Sequence, residues 1–187
     1  VAPGAFVLAI LASNYLLTAL PNVKLFDLLV FAAGYCLGVR RGATVAVAAW
    51  YVYGQANPFG PAHAQLLLTL MVSETGYAVM GGLVRRLMGP RRLGLGPGRS
   101  SLLLIGAALI ATSAYDVATN VYTGYFWAVL AGSQEYGRWI STALFNPGAL
   151  FFMAVHVSSN AILFPVFAPL VIRLVDTADD RWGQRWG

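Results

Sequence analysis

The stretch Arg85-Arg86-Leu87-Met88-Gly89-Pro90-Arg91-Arg92-Leu93-Gly94-Leu95-Gly96-Pro97-Gly98-Arg99 lies between two long apolar runs and carries five of the 12 basic residues of the chain. Its glycines and prolines break helices, and its arginines are costly to move through hydrocarbon. Working outward, Arg40 and Arg41 follow the second apolar run, and Arg173, Arg181 and Arg185 follow the last. Only Lys24 and Arg138 fall on the alternate set of connections. Basic residues retain connections on the cytoplasmic side during insertion, so this asymmetry predicts class and orientation together. The expectation is an all-α integral membrane protein of six transmembrane helices, with both ends in the cytoplasm.

Composition agrees with that class. The 187 residues are 58% hydrophobic and 10% charged, against roughly 25% charged residues in soluble domains. Mean hydropathy is +0.68. The net charge of +5 comes from residues at the ends of apolar runs, which fits anionic lipid head groups and excludes a nucleic-acid partner. The length predicts one transmembrane domain over 1–187. The lone Cys36 excludes a disulfide framework. No basic stretch precedes the first apolar run, so a retained span is expected rather than a cleaved signal.

The spans read as about 3–20, 25–39, 43–54, 64–87, 101–123 and 147–175. The third is too short to cross ~30 Å of hydrocarbon at about 1.5 Å per residue, so it must tilt or continue as shielded irregular backbone. Gly54 to Pro61 is rich in turn formers, and Gly124 to Asn146 reads as a long outer connection carrying Tyr125, Trp127, Tyr136 and Trp139. Two stripes of small residues stand out: Ala5, Ala9 and Ala12 on the first span, and Gly34, Gly38 and Gly42 around the end of the second. Such stripes permit close backbone approach, either inside the bundle or against a separate membrane subunit.

Ionisable groups at membrane depth are costly and face a cavity or a partner. Glu74, Asp116 and His156 fall at similar depth in the fourth, fifth and sixth spans. Asn120 lies one turn from Asp116, and Asn160 one turn from His156, on the same helix faces. Asn14, Gln65, Asn57, Tyr122 and Trp127 add polar and aromatic groups towards the outer surface. These residues either bond one another between helices or line a polar pocket open to the outside. The chain has no HExxH motif and no Walker A, and His63 and His156 lie on different elements, so no catalytic residue, metal or cofactor is expected.

In order along the chain, Leu20-Pro21-Asn22-Val23-Lys24, Ala33-Gly34-Tyr35-Cys36-Leu37-Gly38-Val39-Arg40-Arg41-Gly42-Ala43, Asn57-Pro58-Phe59-Gly60 with Gln65, Tyr115-Asp116 with Thr119-Asn120, and His156 with Ser159-Asn160-Ala161 resemble the substrate-binding S components of energy-coupling factor (ECF) vitamin transporters. The resemblance implies a multi-pass protein of a prokaryotic cell membrane, without enzymatic activity. It would bind a micronutrient from outside, cobalamin- or queuosine-like as first guesses. It would then hand the ligand inward by toppling against a transmembrane coupling subunit driven by two separate ATPases. Ala5-Phe6-Val7-Leu8-Ala9 matches the AxxxA motif by which several members contact that coupling subunit. A small membrane enzyme using Glu74, Asp116 and His156, and a structural subunit of a larger assembly, are the alternatives.

Overall fold

The computed structural model describes residues 2–20, 22–89 and 93–186, with side chains to Ala178. Among the described residues the chain is all-helical: α1 (Pro3–Leu16), α2 (Phe26–Leu37), α3 (Val39–Ala56), α4 (Ala64–Met88), α5 (Arg99–Leu130), α6 (Tyr136–Phe145) and α7 (Pro147–Trp186). Three stretches, Ala64–Met88, Arg99–Leu130 and Pro147–Ala178, are long and apolar enough to cross a membrane. Their outward surfaces carry Leu68, Val72, Leu102, Ile110, Ile162 and Leu174 exposed, while Glu74, Asp116, His156 and Asn160 are buried. Apolar outside and polar inside is the arrangement that suits a lipid solvent.

The centre of the bundle is α2. Every residue from Phe26 to Tyr35 is buried, as expected of a helix apolar all round, and α1, α3, α4 and α7 pack about it. Close approach depends on missing side chains. A Cβ at Gly34 would strike the Ala78 backbone, one at Gly42 would meet Gly34, and one at Gly81 would strike the Phe31 carbonyl. The Gly34/Gly42 stripe is therefore internal packing between α2, α3 and α4. Ala5, Ala9 and Ala12 lie on the exposed face of α1.

Several boundaries differ from the sequence expectation. Gly38, at φ +88°, ends α2 and starts α3 with no further connecting residue. Arg40 and Arg41 therefore open an 18-residue α3 rather than forming a connection. The first helix stops at Leu16 and the fifth continues to Leu130. The supposed outer loop contains α6, whose backbone at Trp139 and Ile140 approaches Gly124 of α5 too closely for a Cβ. Asn146 then ends α6 and begins α7: its Nδ2 donates to the Thr142 carbonyl at 2.9 Å and its Oδ1 accepts from Ala149 N at 2.9 Å, with Pro147 at the first helical position.

Contacts between elements define two ends. At one, Arg85 Nη1 donates to the carbonyls of Tyr35 (2.9 Å) and Cys36 (3.0 Å), closing the last turn of α2. There too, Tyr35 OH donates to the Gly89 carbonyl and Arg173 to that of Leu93. At the other, Tyr15 OH donates to the Ala56 carbonyl and Asn22 Nδ2 to that of Phe152.

Candidate functional site: a cavity over a buried polar chain

The second end encloses a cavity of about 680 Å³ between α1, α3, α4, the start of α7 and the connections 17–24 and 57–62. Its walls include Asn14, Lys24, Trp50, Tyr53, Phe59 and Phe152. Trp50 and Tyr53 share a face of α3, with ring centroids 5.9 Å apart, and Phe26 stacks on Trp50 from α2. Asn57 shapes the rim: its Nδ2 donates to the Gly60 carbonyl at 2.6 Å and its Oδ1 accepts from Phe59 N at 2.9 Å. That turn holds Phe59 out at the mouth, 80% exposed.

Behind Trp50 the polar groups of the interior form two sets, a Trp50–Glu74 pair and a longer hydrogen-bonded chain. The indole Nε1 donates to Glu74 Oε2 at 3.1 Å. His156 places Nε2 2.6 Å from Asp27 Oδ2 and Nδ1 2.8 Å from Asp116 Oδ1. Both contacts are hydrogen bonds at once only when the ring is an imidazolium or a carboxyl oxygen carries the proton. Asn160 Nδ2 donates to Asp27 Oδ2 at 2.7 Å and to Thr112 Oγ1 at 2.9 Å, and Tyr77 OH donates to the same hydroxyl at 3.1 Å. The chain thus ties α2, α4, α5 and α7 together. With both ring nitrogens engaged by carboxylates, His156 offers no lone pair to a metal. Among the described residues no group of three His, Cys, Asp or Glu side chains is arranged to hold one.

No family model, curated protein or solved structure matches this chain.

The residues expected at the site separate into three sets. Asn14 and Asn57 line the cavity. Asp116, His156 and Asn160 belong to the buried chain, while Glu74, equally buried, bonds Trp50 and is one side chain removed from the cavity. Asn120, Gln65, Tyr122 and Trp127 join neither. Asn120 Nδ2 donates to the carbonyl of Asp116 on its own helix, Tyr122 OH reaches Gln65 Oε1 at 3.5 Å on the exposed surface, and Trp127 is 37% exposed. Asp116, His156, Asn120 and Asn160 do not line this cavity: His156 bonds Asp116 and Asp27, and Asn160 bonds Asp27 and Thr112. Asp27, Trp50 and Tyr53 carry no expectation from sequence, and Lys24 only one of topology and resemblance, not of a place at the site. Of these, Asp27 carried a signal: an acid directly before an apolar run is an ionisable group that the bundle has to accommodate.

Proposed function

We propose that the chain is a six-span membrane protein that captures a small molecule from outside, the substrate-binding subunit of an ECF-type importer. The cavity carries this reading. It opens at the end remote from Arg40, Arg41, Arg85 and Arg86, which the positive-inside rule assigns to the cytoplasm. Its volume lies within the roughly 300–1,000 Å³ of small-molecule sites, and its apolar walls with few polar groups match their usual make-up. Both termini are then cytoplasmic, and α6 lies at the outer surface. The exposed Ala5, Ala9 and Ala12 suit docking of a transmembrane coupling subunit, with two ATPases beyond it, in the cell membrane of a prokaryote. Ala5 and Ala9 also border a shallow apolar groove against Leu29, Val171 and Leu174, which widens that docking face. The ligand is a vitamin or related micronutrient.

The test is mass spectrometry of small molecules that copurify with the chain in lipid nanodiscs. A micronutrient is expected from wild type and is expected to be lost from Tyr53→Ala and Trp50→Ala proteins that remain folded. Equal recovery from wild type and from both variants would reject the cavity as the site.

A further inference from the structure

Lys24 is the only charged side chain among the described residues lining the cavity. Its ammonium lies 5.8 Å from the centroid of the Trp50 ring, and it makes no hydrogen bond or ion pair with the described residues. The other polar groups of the wall are mostly engaged. Thr18 donates to the carbonyls of Asn14 and Tyr15, Asn22 to that of Phe152, and Asn57 is closed on its own turn. Asn14 differs: it is 4% exposed, and neither its Nδ2 nor its Oδ1 has a partner.

We propose that the ligand is a flat, largely apolar molecule carrying a single carboxylate, which Lys24 receives while the ring lies along the Trp50 and Tyr53 faces. This deepens the capture reading and rests on it. An ammonium on a half-enclosed, mainly apolar wall attracts a carboxylate more strongly than it would in open water, because the pair is less screened. It repels a cationic ligand for the same reason. Asn14 supplies the second polar contact at the α1 side of the cavity. A structural role competes for Lys24: it lies in the connection just before α2, three residues before Asp27, and over the indole that bonds Glu74, so it also balances the buried acids. A lysine serving those acids alone would leave ligand charge unread.

The experiment is equilibrium dialysis of naphthoate, naphthamide and naphthylmethylamine against the chain in lipid nanodiscs, with empty nanodiscs as the partition blank. Naphthoate is expected to bind at least tenfold more tightly than naphthamide, and the amine to stay at the blank. Lys24→Met is expected to bring naphthoate and naphthamide to equal affinity, and Lys24→Arg to restore the preference. Should Lys24→Met fail to fold, Lys24→Gln takes its place with the same expectation. Equal binding of all three probes by wild type overturns the carboxylate assignment and leaves the capture reading standing, as does a preference that survives in Lys24→Met. Binding of none of them also overturns the carboxylate assignment, whereas the capture reading falls only with the copurification test.

Discussion

Asp27 is 2% exposed, shares a hydrogen bond with His156 and accepts one from Asn160, both on α7. Removing one partner of such a buried charged pair leaves the other uncompensated, at a cost of about 3–5 kcal/mol. Asp27→Ala is therefore expected to lower unfolding stability in mild detergent by that amount, read from a denaturant titration. Asp27→Asn is expected to recover part of the loss, since an amide still meets both neighbours. Asn120→Ala is the control: its bond stays within its own helix, and the expected change is within about 0.5 kcal/mol. At this scale the sequence is informative about burial and poor about direction. Glu74, Asp116 and His156 are legible as ionisable groups inside apolar runs, and the structure does bury them. Which of their neighbours they touch depends on the rotation of each helix, and runs this uniformly apolar leave rotation undefined. Asn120 shares a face with Asp116 and still turns back to its own backbone.

The α2–α4 contact is made by glycines, and the same substitution has opposite signs at different positions. Gly34→Ala would place a methyl group into the Ala78 backbone, where neither helix can yield cheaply, and is expected to cost about 1–3 kcal/mol. Gly106→Ala, on α5, meets nothing within 4 Å and is expected to gain about 0.5–1 kcal/mol from better helix propensity. Thermal unfolding of the two variants beside wild type checks both signs. The long helices α4, α5 and α7 are legible from their apolar length, bounded by glycine, proline and arginine. The α2–α3 junction is not, because a single residue, Gly38, reverses the chain where two arginines would be expected to mark a connection. Nor is α6, whose ten residues mix aromatic and polar side chains as an interfacial loop would.

For the molecule as a whole, orientation and docking can be tested separately. With Cys36 replaced by alanine, a cysteine at Gln55 is expected to react with a membrane-impermeant maleimide from outside in intact cells. A cysteine at Arg41 is expected to react only after permeabilisation, and the reverse pattern would invert the topology. Ala9→Trp adds bulk to the exposed face of α1, where close helix approach needs small residues. Transport is expected to fall by at least tenfold while probe binding by the isolated chain is kept; loss of binding would place the stripe inside the fold. The central helix also has a consequence for biogenesis. At 12 residues, about 18 Å at helical rise, α2 is too short to be threaded across a bilayer on its own. Among the described residues, the side chains that hydrogen-bond with its acid, His156 and Asn160, both lie on α7, 129 and 133 residues further along the chain. A nascent chain halted before α7 lacks these partners of Asp27 and the part of the cover of α2 that α7 supplies, so α2 reaches its final surroundings only after α7 has been made.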